Sequence, residues 1–475
     1  MNGRLARRIV FPFLARLEYR PDPISAGISA GQVQHFLMSV VINFRRIAVI
    51  AAAVVLAAGT TRAEPATSSP AERIFASAPP RLLQIRSLVS AAGTQSSIGS
   101  GFLVTADGLA LTNYHVVSQV ALEPELYRLE YAAADNSRGA ATLIAIDLAN
   151  DLAVVRLDKH DAPAFAFDET AITEGLPKGE RLYSMGNPLD LGFTVVEGSY
   201  SGFVERSYNE RIHFTGALNP GMSGGPTVNA EGRVVGINVA KQIGSELVSF
   251  LVPARFAARL VARAKEEQQP ADFRAEIGRQ LEAWQVGLYH AVADQEFRAV
   301  DFGPYRAPES TAPWFTCWAQ TNADAVPKPR ASVNTTSCRA DSYVFVARDL
   351  TTGSIWFSHS YVKTVDLNQF QFANFLTGQS RAPQMPGSGR KWHTQQRCHE
   401  DFLATAATGD HPPMRAVWCA RAYRAFPGLY DVSVAAVTEN RGSEALVSRL
   451  SLQAVPYADA VALARRFLEA VQWTP

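Results

Sequence analysis

The sequence of 475 residues predicts an all-β pair of barrels, then a helix, then a cysteine-containing domain that is α+β or mainly β. Three observations support this prediction. Residues 81–267 consist of short β-branched segments separated by Gly, Asn and Asp, which is typical of β-barrels. Residues 271–295 carry apolar side chains at helical spacing. The four cysteines all lie in residues 296–475, where aromatic strands alternate with Pro- and Gly-rich loops.

Composition narrows the function classes. The chain has 45 Lys and Arg against 44 Asp and Glu, a net charge of +1, which does not indicate a nucleic-acid partner. A hydrophobic share of 47% is ordinary for packed globular domains. The sequence contains neither a phosphate-binding Walker loop nor a His-Glu-x-x-His motif, so it predicts no cofactor and no metal.

Residues 1–63 are predicted to be a leader. Basic Arg45 and Arg46 precede the apolar run 47–58, and small residues around Ala63 follow. That order is typical of a secretory signal, and the run is shorter than the roughly 20 residues of a transmembrane helix. Cleavage after Ala63 would give a periplasmic or secreted protein. Both Met1 and Met38 are candidate starts, and an uncleaved leader that anchors the chain to a membrane is the alternative.

After a predicted linker at residues 64–80, the barrel region has recognisable elements. Residues 99–104 predict a strand, and a turn leads into a second strand that ends in a histidine, His115. Asp151 opens another apolar run. Residues 196–204 predict a bent strand, and residues 253–265 predict a helix with Pro253 in its first turn.

The run 219–226 (NPGMSGGP) has a chemical interpretation as well as a structural one. Its glycines permit backbone geometries that a β-carbon forbids, so the N–H groups of Gly221 and Ser223 could converge on one oxyanion. Serine becomes a useful nucleophile only beside a base that is itself oriented by a third group. His115 is a candidate for the base and Asp151 for the orienting group, and the chain order is His115, Asp151, Ser223. Taken without the other two residues, the run 219–226 is equally compatible with a structural turn between two strands.

These motifs together resemble the trypsin-like serine proteases, specifically the bacterial HtrA/Deg branch. The resemblance rests on the Ser-Gly-Phe strand, Thr-Asn-x-His-Val-Val, Asp-Leu-Ala-Val, the run 219–226, and the segments 186–188 and 234–238. It covers roughly residues 80–265 and implies a chymotrypsin-like double barrel with the triad between the barrels. It also favours Asp151 over the competing Asp147, because Asp151 opens the matching Asp-Leu-Ala-Val run. Ser100 and Ser201 are the remaining candidates for the nucleophile, without matching context.

The resemblance also implies a specificity pocket. Ala217, six residues before the serine, would lie at its base, with Asn238 and Ala240 as walls. A base without a carboxylate would leave a substrate Lys or Arg unpaired, so a small or aliphatic residue before the scissile bond is expected. Met222 stands where digestive relatives carry an aspartate, which suggests that no activating cut of their kind is needed. After residue 265 the sequence shows no pattern of the PDZ domains common in HtrA proteins.

The four cysteines predict disulfides, as expected for an exported chain. We favour Cys317–Cys338 and Cys398–Cys419, because both pairs have the same separation (338−317 = 419−398 = 21), although three connectivities are open. A zinc site using His393 and His399 near Cys398 is the alternative, but no Cys-x-x-Cys pair is present.

The leading functional hypothesis is a serine endopeptidase that acts on a protein or peptide substrate. An esterase using the same triad lacks the Gly-x-Ser-x-Gly elbow. The non-enzymatic alternative is an adaptor whose protease-like domain is inert and whose C-terminal domain binds a partner.

Overall fold

The computed structural model describes residues 69–241, 248–381, 385, 389–403, 411–439 and 441–473. The predicted leader, 1–63, therefore lies outside the described residues. Part of the predicted linker, 64–80, is helical: helix α1 (Ser69–Ser77) buries Ala71 and Ile74 in the core between the barrels. Ala71 and Ile74 are three positions apart and therefore lie on the same face of the helix, and burial of this face stabilises the segment.

Six antiparallel strands close the first barrel in the order β1-β2-β3-β6-β5-β4. The strands are β1 Leu82–Val89, β2 Gln95–Leu103, β3 Leu109–Thr112, β4 Tyr127–Ala133, β5 Arg138–Asp147 and β6 Leu152–Leu157. Their inward side chains are mostly Leu, Val and Ile, which suit a pleated, closed surface.

A second set of six strands closes in the order β10-β11-β12-β9-β8-β7. They are β7 Arg181–Gly186, β8 Thr194–Phe203, β9 Ile212–Phe214, β10 Pro226–Val228, β11 Val234–Lys241 and β12 Ser249–Pro253. Strand β8 corresponds to the predicted bent strand, and its register against β9 shifts between Tyr200 and Phe203. The predicted all-β double barrel is therefore confirmed.

The other helices are α2 Tyr114–Leu122, α3 Glu169–Thr173, α4 Ala254–Glu266, α5 Phe273–Ala293, α6 Gln369–Gln379, α7 Gly389–Trp392 and α8 Tyr457–Glu469. Short 3-10 turns cover Pro79–Arg81 and Pro188–Asp190. The helix predicted for 271–295 is α5, and the side chain of Asp272 caps its first turn by accepting from two backbone N–H groups. None of the helices in the described ranges is long and apolar enough to cross a lipid bilayer.

The C-terminal region is mainly β, as predicted, and its largest sheet has seven strands in the order β15-β16-β19-β23-β22-β21-β20. The strands of this region are β13 Phe297–Phe302, β14 Tyr305–Ser310, β15 Phe315–Thr321, β16 Ala331–Ala340, β17 Val344–Ala347, β18 Leu350–Thr352, β19 Ile355–Thr364, β20 Arg397–Leu403, β21 Met414–Ala422, β22 Leu429–Thr438, β23 Glu444–Pro456 and β24 Gln472–Trp473. β13, β14 and β24 form a separate sheet, and β17 pairs only with β18.

Two disulfides fasten the two edges of the seven-stranded sheet. Cys317–Cys338 joins edge strand β15 to β16, and Cys398–Cys419 joins the opposite edge strand β20 to β21. These are the pairs that the equal spacing favoured. Because both cystines consume the thiols, the zinc alternative loses its sulfur ligands.

In the sequence, the aromatic and β-branched runs 342–347 and 354–362 predict one hairpin across residues 349–353. That prediction is wrong, because β17 pairs with β18 and the long strand β19 lies between β16 and β23. The sharp turn required at Gly353, with φ of 87°, separates the two segments. A Cβ there would lie 2.3 Å from the Ser342 carbonyl oxygen and 2.6 Å from the Trp284 ring, so only glycine fits.

The core of the first barrel continues into the C-terminal region. One cluster of buried side chains includes Leu83 of β1, Val117 of α2, Ile277 of α5, and Val344 and Val346 of β17. The apolar face of helix α2 is therefore covered by residues that lie more than 200 positions later in the chain (346−117 = 229).

Candidate active site

His115 lies in the first turn of helix α2, and not at the end of a strand as the sequence suggested. Strand β3 stops at Thr112, and the helix begins at Tyr114. Asp151 explains the change, because its carbonyl oxygen accepts from the Tyr114 N–H at 3.1 Å and its Oδ1 accepts from the His115 N–H at 2.9 Å. These contacts satisfy N–H groups that a helix start would otherwise leave without partners.

The imidazole of His115 and the carboxylate of Asp151 are in direct contact, with 2.7 Å between Nδ1 and Oδ2. The Asn113 amide also donates to the Asp151 carbonyl oxygen at 2.8 Å, which holds the aspartate in its left-handed backbone conformation of φ 58°. Burial of the His115 ring opposes protonation, but the charge of Asp151 and the hydrogen bond to it outweigh burial. The pKa of His115 is therefore raised above its usual value.

Asp147, the rival orienter, is the last residue of β5 and precedes a turn at residues 148–150. Its carboxylate accepts from the backbone N–H of Asn150 at 3.1 Å and from the Asn150 amide at 2.8 Å. Among the hydrogen bonds of the described residues, the His115 ring contacts Asp151 and not Asp147.

The loop that carries Ser223 makes a tight turn. Met222 N–H donates to the Asn219 carbonyl oxygen at 3.0 Å, and Gly221 has φ of 96° at the third position of this turn. A positive φ there is characteristic of a type II turn, which Pro220 at the second position also favours. A Cβ at Gly221 would lie 2.4 Å from the Asn187 carbonyl oxygen, so no larger residue fits.

Two amides of this loop are available to a ligand. In the described residues the N–H groups of Met222, Gly224 and Gly225 all donate to backbone oxygens, whereas those of Gly221 and Ser223 do not. An oxyanion hole requires unengaged donors of this kind next to the nucleophile.

The Ser223 hydroxyl itself contacts the Val239 carbonyl oxygen at 3.5 Å. Within the described residues no hydrogen bond joins it to His115, so the structure brings His115 and Asp151 together but leaves the serine hydroxyl unbonded to the ring. Catalytic hydrogen bonds are often long without a bound substrate and shorten when one binds.

Ser100 connects the nucleophile loop to the first barrel, a role that the sequence did not reveal. Its N–H donates to the Ser223 carbonyl oxygen at 2.8 Å, and its hydroxyl donates to the Gly221 carbonyl oxygen at 2.7 Å. The same hydroxyl accepts from the Asn187 N–H at 2.9 Å. The only sequence signal was the glycine on either side. A Cβ at Gly99 would lie 2.4 Å from a Val116 methyl group and 3.0 Å from the Ser223 carbonyl oxygen.

The structure does not support the predicted pocket lining. Ala217 is exposed and its neighbour Leu218 packs into the second barrel, so Ala217 does not form the base of an enclosed pocket.

Asn238 is fully buried, and its amide donates to the carbonyl oxygens of Met185 and Met222 at 2.9 and 3.1 Å. It supports the nucleophile loop from inside the barrel instead of forming a pocket wall. Ala240 belongs to β11, but its side chain lies outside the described residues.

The C-terminal region contacts the catalytic helix directly. The Phe345 ring of β17 lies edge-on to the His115 ring with centroids 5.9 Å apart, and the buried Tyr114 hydroxyl donates to the Val346 carbonyl oxygen at 2.8 Å. Gln280 of α5 accepts from the Leu148 N–H at 2.8 Å, which steadies the segment before Asp151. None of these three contacts has a signal in the sequence, because each joins segments far apart in the chain.

The part of the chain that holds this site is similar to known proteins. Residues 99–237 match the family model described as a trypsin-like peptidase domain. A protein of Chlamydia pneumoniae named "Probable periplasmic serine endoprotease DegP-like" is 32% identical over 171 residues, 34% of this chain and 33% of that protein. A Pseudomonas fluorescens protein with the same name is 35% identical over 164 residues, 33% of each chain. The chain thus spans about one third of the length of these curated relatives.

A crystal structure of the serine endoprotease from Yersinia pestis is 26% identical, covers 43% of this chain and 69% of that one, and superimposes with a TM-score of 0.36.

Residues 99–237, which include the His–Asp pair and the glycine-flanked serine, are thus similar to trypsin-like peptidase domains and lie within the double barrel. The similarity extends to proteins named DegP-like serine endoproteases, in agreement with the branch that the motifs resemble.

Proposed function

We propose that this protein is an exported serine endopeptidase in which Ser223 is the nucleophile, His115 the general base and Asp151 the orienting carboxylate. The observation that carries the proposal is the 2.7 Å contact between His115 and Asp151, beside a loop that keeps the Gly221 and Ser223 amides unengaged. A base with a raised pKa and an aligned partner is what a serine nucleophile needs at neutral pH.

In the proposed reaction the Ser223 oxygen attacks the scissile carbonyl carbon while its proton moves to Nε2 of His115. Asp151 accepts the hydrogen bond from Nδ1 and stabilises the imidazolium that forms. The N–H groups of Gly221 and Ser223 hold the negative oxygen of the tetrahedral intermediate. Collapse breaks the C–N bond, and His115 protonates the leaving amine. Water then attacks the acyl-enzyme by the same route and restores the serine.

The substrate in this proposal is a protein or peptide. A small or aliphatic residue before the scissile bond stays a prediction that rests on the family resemblance alone, because the structure leaves Ala217 exposed. The domain division at residues 267 and 296 is likewise part of the proposal. Export is inferred from the predicted leader and from relatives named as periplasmic. Mass spectrometry of the exported chain should find a mature N-terminus near Glu64, and an intact leader would contradict the inference.

One observation favours an adaptor as the second candidate. The Ser223 hydroxyl contacts Val239 rather than His115, which an inert domain would tolerate. The two candidates differ in the reactivity of this one oxygen, because an adaptor has no use for an activated serine.

Labelling with a fluorophosphonate probe separates the candidates. The purified mature chain should label at Ser223 and cleave casein, whereas Ser223→Ala should do neither while keeping its circular dichroism spectrum. Ser201→Ala is the matched control and should behave as wild type. An unlabelled wild-type protein, or casein cleavage at the wild-type rate in Ser223→Ala, would refute the proposal.

A further inference from the structure

A cavity of about 370 Å³ opens beside the candidate triad. The peptidase domain supplies one part of its lining, including Asp151, Val239, Phe250 and Arg211. Its volume falls within the roughly 300–1,000 Å³ typical of ligand pockets.

The other part of the lining comes from the C-terminal region. Residues 341–353, which we call the β17–β18 hairpin, contribute Tyr343, Val344 and Phe345. The cavity is therefore incomplete without this hairpin, which is separated by about 120 residues from Ser223 (343−223 = 120).

Hydrogen bonds hold the hairpin in place on both barrels. The Tyr208 N–H donates to the Asp341 carbonyl oxygen at 2.8 Å, and the Asn209 amide donates to the Tyr343 carbonyl oxygen at 2.8 Å. Both donors belong to the β8–β9 connection of the second barrel. The Tyr114 bond to Val346 adds an attachment to the first barrel. These contacts make the hairpin a fixed wall of the cleft.

The cavity is lined by residues that contact the candidate catalytic groups. Val239 contributes to its lining, and the carbonyl oxygen of Val239 is 3.5 Å from the Ser223 hydroxyl. Asp151 and Phe345, which both contact the His115 ring, are also in the lining. An extended chain advances about 3.3 Å per residue, so a side chain that reaches the cavity belongs within about three residues of the scissile bond.

The chemistry of the walls favours an apolar side chain. Phe250, Phe345 and Val239 present apolar surface. Arg211 is already engaged, because its guanidinium donates to the carbonyl oxygens of Glu210 and Ala149 at 2.9 and 3.3 Å. The two carboxylates in the lining, Asp151 and Asp341, disfavour a substrate carboxylate, and Asp151 is already paired with the His115 ring.

We propose that the β17–β18 hairpin forms a substrate subsite with the peptidase domain, and that Phe345 and Tyr343 select a large apolar side chain within three residues of the scissile bond. This inference rests on the proposed peptidase function. It assigns the C-terminal region a share in specificity, next to the catalytic centre itself.

The test is a cleavage profile of the full mature chain with an internally quenched peptide library, varied at four positions on each side of the cut. We compare wild type, Phe345→Ala and Tyr343→Ala. Tyr343 is 38% exposed, so its truncation should not prevent folding. Phe370→Ala, at a position 88% exposed in the same region, is the matched control.

Wild type should prefer a large apolar residue over alanine at one position within three residues of the cut. Both hairpin variants should reduce that ratio of kcat/KM by about tenfold at the same position, and the control should not. A purely structural role would lower the rates for all peptides alike. Unchanged ratios in both variants, with Ser223 still labelled by the fluorophosphonate, would overturn the subsite alone. A wild-type chain that cleaves no peptide and is not labelled would overturn the proposed function as well.

Discussion

Replacement of Ser100 by alanine tests how the oxyanion loop is held. The change removes one hydroxyl that makes two hydrogen bonds, donating to the Gly221 carbonyl oxygen at 2.7 Å and accepting from the Asn187 N–H at 2.9 Å. The fold around it should persist, because the Ser100 N–H to Ser223 bond is made by the backbone. The perturbation therefore acts on the peptide that joins Gly221 to Met222, which is adjacent to the peptide that carries the Gly221 N–H.

The magnitude follows from the burial of the two partners. Asn187 is 8% exposed, so water cannot replace the partner that its N–H loses. Leaving this donor without a hydrogen bond should cost about 1–3 kcal/mol. The Gly221 oxygen is less buried and water can replace its partner, so a total loss of about 2–4 kcal/mol in the free energy of unfolding is expected. Loss of one oxyanion donor typically lowers kcat by about 10²–10³, and a shift of Gly221 that turns its N–H away from the oxyanion would approach that limit.

The assay measures kcat and KM on one peptide substrate, with active sites counted by fluorophosphonate labelling, and stability by urea unfolding. Ser97→Ala on the same strand is the control, because the Ser97 hydroxyl has no hydrogen bond within the described residues. We expect a fall in kcat with little change in KM for Ser100→Ala alone. A folded Ser100→Ala protein with kcat within twofold of wild type would refute the reasoning.

Three further predictions follow from the same structure. Asp151 raises the pKa of His115, and the base must be neutral to act. The value of kcat/KM should therefore fall with decreasing pH through a pKa above 6.5. A pH–rate profile with its acid limb below 6.5 would contradict this. Burial lowers the pKa of His359 to about 4. Between pH 6.5 and pH 4 the unfolded state alone takes up the proton, so the free energy of unfolding should fall by about 3 kcal/mol. Urea unfolding across that range should show a smaller fall for His359→Gln than for wild type. A chain truncated after residue 267 should aggregate or unfold at lower temperature than the full chain, because it loses the residues that cover α2. Equal melting temperatures would show that the shared core is dispensable.

Local patterns were sufficient for the peptidase domain. Short β-branched segments and turn residues indicate strands through properties of neighbouring residues. The helix at Phe273–Ala293 was predicted within two residues at each end, because apolar spacing and an Asp N-cap act locally. The run around Ser223 was informative for a similar reason. Its glycines are required by backbone geometry within the loop itself.

Where the sequence misled, a contact from a distant segment was responsible. His115 was expected on a strand, but Asp151 caps the start of a helix there. Asn238 was expected to line a pocket, whereas hydrogen bonds to Met185 and Met222 draw its side chain inside the barrel. Local propensity cannot anticipate such partners, because they are set by the packing of whole elements.

The sequence by itself therefore determined the class of fold, the order of the candidate catalytic residues and the cystine pairs that equal spacing favoured. Only the tertiary structure decided that Ser100 supports the nucleophile loop and that Phe345 lies against the His115 ring. It also decided that the C-terminal region shares a core with the first barrel. Motifs record chemistry within a few neighbouring residues, whereas burial and cross-chain hydrogen bonds exist only once distant segments are packed together.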